Sequence, residues 1–175
     1  MPGDRPPHDD RQRLGAVTEA TGPLPRIRRA LPDDADALSA LAQRSKAHWG
    51  YDAGFLERVR DAITLQPNDI RVHEVWLLES PTGEPIGHYR VIPGDPAELE
   101  DLWVEPDAIG TGAGRLLFEH ALGVARAGGA TAMEIDADPN ALGFYERMGA
   151  ARISDTPSTL IPGRVLPRLR ISLDR

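Results

Sequence analysis

The stretch LEDLWVEPDAIGTGAGR, residues 99–115, joins a strand to a helix through closely spaced glycines. Upstream, Ala97 to Val104 has the β-rich character of a strand. Downstream, Leu116, Leu117, Ala121, Leu122 and Ala125 recur at helical spacing from Gly112 to Ala127, and Gly128-Gly129 makes a C-terminal stop. Glycines at 110, 112 and 114 let backbone N–H groups approach a ligand without Cβ obstruction, and the helix start adds the positive end of its dipole. That combination suits phosphate oxygens; alone, it is equally a plain connector. A P-loop requires Lys-Ser/Thr after its last glycine, whereas Arg115-Leu116 follows here. A dinucleotide-binding turn places GxGxxG at the strand end with an acid about 20 residues on. Glu134 or Asp136 imitates that acid, but the glycine spacing differs and Glu105 to Ile109 separate strand from turn.

Working outward, residues 1–25 hold five prolines and three glycines without apolar periodicity and read as a disordered tail. Residues 26–175 read as one domain. Arg26 to Ala30 is a short strand, and a helix follows with Asp33 as N-cap and Leu38, Leu41, Ala42 and Ser45 on one face. His48-Trp49-Gly50-Tyr51 breaks it, and Asp52 caps a second helix to about Thr64. Strands are expected at Val72–Leu78, Ile86–Ile92 and Ala97–Val104, separated by Pro/Gly turns. After the Gly112–Ala127 helix come a strand at Thr131–Ala137, a short helix at Pro139–Met148, and two strands joined by a Pro/Gly loop. The order is βααβββαβαββ, an α/β (α+β) arrangement.

Composition narrows the function. The net charge of −7 speaks against a general nucleic-acid binder. No apolar run reaches the roughly 18–20 residues that cross a bilayer. With no secretory h-region at the polar N-terminus, a cytoplasmic protein is the expectation. Cysteine is absent, which removes disulfides, thiolate metal sites and a Cys nucleophile. His73 and His88 lack metal-ligand partners at useful spacing, so no metal is expected. The basic side consists of nineteen Arg and a single Lys, so a Schiff-base lysine could only be Lys46.

A third reading of the glycine turn is a seat for the pyrophosphate arm of coenzyme A. Val104-Glu105-Pro106 followed by Gly112-Ala113-Gly114 resembles the GNAT-family pattern of strand, Val-x-Pro, then Arg/Gln-x-x-Gly-x-Gly/Ala opening a helix. Ile109 stands where the family usually has Arg or Gln. Twenty-six residues after Gly114, Asn140 opens the run NALGFYERMGA, residues 140–150. It is similar to the family signature Asn-x-x-Ala-x-x-Phe-Tyr-x-x-x-Gly-Phe, departing at Gly143 and Ala150. The chain is thus identified as resembling GNAT (Gcn5-related) N-acetyltransferases over Arg26 to Leu173. The resemblance implies a mixed sheet of six to seven strands flanked by about four helices.

It also implies roles. Acetyl would pass from acetyl-CoA to a primary amine of a small molecule or peptide by direct attack in a ternary complex. The coenzyme would be held by Leu102, Trp103 and Val104 on the strand, by Ile109, Gly110, Thr111, Gly112, Ala113, Gly114 and Arg115 at the turn, and by Asn140, Phe144 and Tyr145. Backbone N–H groups at Leu102 to Val104 would polarise the thioester carbonyl. Tyr145 is the candidate acid, a phenol protonated at neutral pH, or else packs the short helix. Glu98 and Glu100, expected to share a strand face with Leu102 opposite Leu99, Asp101 and Trp103, are the candidate bases or solvated edge residues. His48, Trp49 and Tyr51 at the helix break, and Arg164 in the loop Ser158–Leu166, are candidate acceptor contacts. A catalytically weak acyl-CoA sensor is the alternative function. An exposed C-terminal edge strand permits a homodimer.

Overall fold

A computed structural model describes residues 25–174. The tail expected over residues 1–25 lies outside them except for Pro25. In chain order the elements are β1 (Arg26–Arg29), α1 (Ala35–Ala47), α2 (Ala53–Val59), α3 (Pro67–Val72), β2 (Glu74–Glu79), β3 (Pro85–Ile92), β4 (Ala97–Val104), α4 (Ala113–Ala127), β5 (Ala132–Asp136), α5 (Leu142–Arg147), β6 (Ala151–Pro157) and β7 (Val165–Ser172). The strands form one seven-stranded sheet in the order β1-β2-β3-β4-β5-β7-β6. Every neighbouring pair is antiparallel except β4–β5. A parallel pair needs a crossover, and α4 supplies it. No helix among the described residues is long and apolar enough to cross a membrane.

Alternation along the strands divides the apolar residues between two faces. Leu78, Tyr89, Val91, Leu99, Met133, Ile135 and Leu169 pack with Leu117, Phe118 and Ala121 of α4. Val75 and Leu77 point the other way, onto Leu38 of α1 and Ile70 of α3. Leu38, Leu41, Ala42 and Ser45 are all buried, as the helical spacing predicts. Beyond β4 that face carries an array of ion pairs. There Arg168 bridges Glu98, Glu134 and Asp136, and Arg170 also pairs with Glu134.

Three local expectations are corrected. Asp33 is not the N-cap; a 3-10 turn, Pro32–Asp34, precedes α1, and Asp34 takes the Leu31 N–H at 2.7 Å while Arg28 grips its other oxygen. The second helix stops at Val59, and a 3-10 turn at Asp61–Ile63 completes the segment expected to reach Thr64. Val72 ends a helix rather than starting a strand. Pro67 sits at the start of α3, and Asp69 accepts the Gln66 N–H at 2.8 Å, so a fifth helix is added.

Where α4 crosses β3 the backbones approach closely. A Cβ at Gly87 would lie 2.7 Å from Leu117 Cδ1 and 2.9 Å from the Trp103 carbonyl oxygen. The strand backbone cannot retreat without breaking the β3–β4 ladder. Gly87→Ala is therefore expected to destabilise the fold by about 1–3 kcal/mol, read as a lower urea midpoint; an unchanged midpoint would contradict this packing.

Candidate active site

The site begins with an irregularity in β4. Arg90 pairs with Asp101 and Val91 with Leu99, leaving Glu100 as an extra residue without a β3 partner. Such a bulge reverses the alternation beyond it. Ala97 and Leu99 face the α4 side, and so do Leu102 and Val104. Asp101 and Trp103 turn to the opposite side, beneath Lys46, whose ammonium lies 5.8 Å from the Trp103 ring. The expected sharing of one face by Glu98, Glu100 and Leu102, opposite Leu99, Asp101 and Trp103, therefore fails at the bulge.

The same region parts β4 from β5. Their ladder holds only Ala97↔Met133 and Glu98↔Glu134. Beyond that, Leu99 to Val104 and Ile135 to Asp138 line the two sides of a cleft of about 630 Å³. Alternate N–H and C=O groups on each strand edge point into this gap instead of into a ladder.

At one end of the cleft stands the glycine turn. Gly110 and Gly112 have φ of +82° and +97°, a region that favours glycine. Gly112 is the N-cap of α4, and the first helical bond runs from Leu116 N–H to its carbonyl at 3.0 Å. The N–H groups of Ala113, Gly114 and Arg115 therefore have no helical acceptor. No atom lies within 4 Å of where a Cβ would stand on Gly110 or Gly112, so the cradle is open. An anion fits this geometry. Ile109, Gly110, Gly112, Gly114 and Arg115 line the cleft. Thr111 and Ala113 do not: the Thr111 hydroxyl donates back to the Ala108 carbonyl at 2.7 Å, and Ala113, the first residue of α4, is buried in the core. Arg115 is exposed and paired with Glu119 at 2.8 Å.

Asp138 organises the middle of the cleft, just past the end of β5. Lys46 pairs with its carboxylate at 2.5 Å and Arg164 at 3.1 Å. The Tyr51 hydroxyl donates to the same carboxylate at 2.8 Å and accepts from Arg164 Nη2 and Asn140 Nδ2, each at 2.9 Å. Burial pushes the Asp138 carboxyl up, but Lys46 and the hydrogen bonds outweigh it and hold the group below its ordinary value. Burial lowers the Lys46 ammonium and raises the Tyr51 phenol. Lys46 and Asp138 were absent from the sequence-derived site. Lys46 does follow Leu38 and Ala42 at intervals of four, a charge on an apolar helix face. Tyr51 stands behind the cleft wall, stacked on Phe55 with ring centroids 4.1 Å apart. His48 is exposed, edge-on to Trp49, and does not line the cleft, whereas Trp49 and Arg164 do.

The candidate acid and bases fall in different places. Tyr145 and Phe144 project from α5 against Phe118 of α4, and both line the cleft. Burial, reinforced by the charges of Asp101 and Asp138, pushes the Tyr145 phenol well above its ordinary value. Glu98 sits in the β4–β5 ladder, 3.6 Å from Arg168 and outside the cleft lining. Glu100, turned by the bulge, lines the cleft, and burial raises its carboxyl. Asp101 also reaches the lining but is held by Arg90 at 2.7 Å and by Trp103 Nε1 at 3.0 Å. Asn140 lines the cleft, with its amide nitrogen spent on Tyr51 and Asp138.

Solved N-acetyltransferases share this fold. The fold matches a GCN5-related N-acetyltransferase from Rhodopseudomonas palustris with a TM-score of 0.73 at 22% identity, covering 86% of this chain and 97% of that one. It matches the PaiA N-acetyltransferase of Thermoplasma acidophilum, solved with coenzyme A, with a TM-score of 0.71 at 18% identity over 85% and 98%. In sequence, the chain is 30% identical over 129 residues to the peptidyl-lysine N-acetyltransferase YjaB of Salmonella typhimurium, covering 70% of this chain and 81% of that relative. The acetyltransferase (GNAT) family profile matches residues 37–150. The chain belongs to that family.

Two cations depend on Asp138, so Asp138→Asn is expected to cost about 3 kcal/mol at neutral pH, because it leaves buried charge unmatched. The folded-state carboxyl lies below its ordinary 3.8, so the unfolded chain binds the proton first as pH falls. The stability gap between wild type and variant should be full above that value and close as pH drops below it. A gap independent of pH in acid unfolding would contradict the ion pairs.

Proposed function

We propose that the protein transfers acetyl from acetyl-CoA to a primary amine of a small molecule or peptide, by direct attack within the cleft. The observation that carries this reading is the gap between β4 and β5. It joins an anion cradle at Gly110–Arg115 to a buried tyrosine and a raised glutamate. Two solved neighbours support the donor: PaiA, solved with coenzyme A, and YncA of Salmonella typhimurium, solved with acetyl-CoA, the latter with a TM-score of 0.61 at 18% identity over 86% of this chain and 95% of that one. The name of YjaB as a peptidyl-lysine N-acetyltransferase supports an amine acceptor.

The residues divide the chemistry as follows. The N–H groups at the start of α4 take the pyrophosphate, with Arg115 beside them. The free edges of β4 and β5 exchange hydrogen bonds with the pantetheine amides, as a strand would, and Asn140 offers its carboxamide oxygen. Ile109, Phe144, Trp103 and Val104 form the apolar wall. Backbone N–H groups at Leu102 to Val104 polarise the thioester carbonyl, where negative charge develops. Glu100 draws the proton from the acceptor ammonium through water, and its raised carboxyl brings it nearer the amine's range than an ordinary glutamate. Tyr145, which lines the cleft, gives its proton to the departing thiolate; a phenol is protonated at neutral pH and can donate as that charge appears.

Saturating acetyl-CoA should raise the melting temperature, since a ligand bound only by the folded state stabilises it. Tyr145→Phe should lower kcat by about 10²-fold while leaving that thermal shift intact; full activity in the variant would remove the acid role. The kcat/KM profile should rise with pH as Glu100 loses its proton, at a value above the ordinary 4.5 of glutamate. Glu100→Gln should abolish that limb, and an unaltered profile would exclude Glu100 as the base.

A further inference from the structure

The cluster around Asp138 carries more positive charge than negative. Lys46 and Arg164 share its one carboxylate, with side chains only 10% and 16% exposed. The other carboxylates lining the cleft lie nearer to other cations. Arg90 reaches Asp101 at 2.7 Å and Glu100 at 3.8 Å, and Arg168 holds Asp136 at 2.9 Å. Within the Lys46–Asp138–Arg164 group, two cations thus share one carboxylate in a poorly solvated place, an arrangement that a ligand anion would complete.

The geometry of Arg164 suits that task. Its bonds to Tyr51 and Asp138 both come from Nη2, and among the described residues Nη1 and Nε have no hydrogen-bond partner. The guanidinium carbon lies 4.7 Å from the Phe55 ring centroid and 5.0 Å from that of Tyr51. A planar guanidinium with free N–H groups matches a carboxylate fork. Trp49, Leu160 and Ile161 line the cleft as apolar neighbours. These residues come from the α1–α2 segment and the β6–β7 loop, none from the glycine turn or α4.

We propose that Lys46 and Arg164 seat a carboxylate carried by the reacting ligand. The favoured acceptor is then an α-amino acid with an apolar side chain, whose carboxylate rests on the two cations while its amine faces the thioester. The same cations would also take the free carboxylate of a dicarboxylic acyl-CoA. The inference rests on the coenzyme reading above.

Calorimetry on the full chain separates the two sources. In one arm, protein saturated with coenzyme A is titrated with phenylalanine and leucine and with their amides. In the other, free protein is titrated with succinyl-CoA and acetyl-CoA. A roughly 10- to 100-fold tighter Kd for the carboxylate-bearing member is expected in the acceptor arm, and it should be lost in Arg164→Gln and reduced in Lys46→Gln. The same preference in the donor arm alone would assign the carboxylate to the acyl group and keep the seat. Equal or undetectable binding within both pairs, or a preference surviving both substitutions, would overturn the proposal. Wild-type protein alone decides the first of these if a variant does not fold. Acetyl-CoA binding without any carboxylate preference defeats this inference only; no acetyl-CoA binding defeats the coenzyme reading itself.

Discussion

β4 and β5 are neighbours in a parallel pair, yet they bond to each other through only two residue pairs before separating. Backbone donors and acceptors left at such a gap are costly to bury without partners. The chain therefore either lets water into the gap or fills it with something that bonds like a strand. On the proposed reading that occupant is the pantetheine arm, whose two amides replace the missing ladder. Much of the site follows from this parting. It exposes the edge of Leu99–Val104, it opens the cleft to the helix start at Gly112, and it leaves Tyr145 of α5 at the gap's wall. The bulge at Glu100 contributes by redirecting side chains, aiming Trp103 and Asp101 at α1 and freeing a glutamate for the cleft.

The middle of the cleft is organised by charge. Asp138 ties together α1 through Lys46, the segment before α2 through Tyr51, and the β6–β7 loop through Arg164. A single carboxylate thus joins three separate segments, which on the proposed reading are the walls that meet a second substrate. Buried ion groups of this kind add little net stability against an apolar alternative. Their retention here fits a role in recognition, since each cation keeps hydrogen-bonding capacity to spare.

Local chemistry made much of this legible. β4 runs over Ala97–Val104 as its β-rich run predicts, and α4 starts one residue after the glycine that caps it. The Asp52 cap is also present, accepting the Phe55 N–H at 2.8 Å. These features depend on a few consecutive residues. What escaped depends on distant ones. The bulge at Glu100 is set by register with β3, so strict alternation misplaces Asp101, Leu102 and Trp103 relative to Leu99. Lys46 and Asp138 meet across 92 residues and Tyr51 and Asp138 across 87, which no spacing rule reveals. Only Ile70 of α3 is buried, too little for a periodic signal over six residues. At the glycine turn, the two that do not line the cleft, Thr111 and Ala113, are separated from their neighbours by side-chain direction alone.

The central claim is that the parted strands and the start of α4 together hold acetyl-CoA. Amide NMR on uniformly labelled protein tests it most directly. Titration with acetyl-CoA should shift the backbone amides of Leu102–Val104 and of Gly112–Arg115 together, with one saturation curve, and should protect them from hydrogen exchange. Shifts confined to other parts of the sheet, or none at saturating acetyl-CoA, would contradict the account.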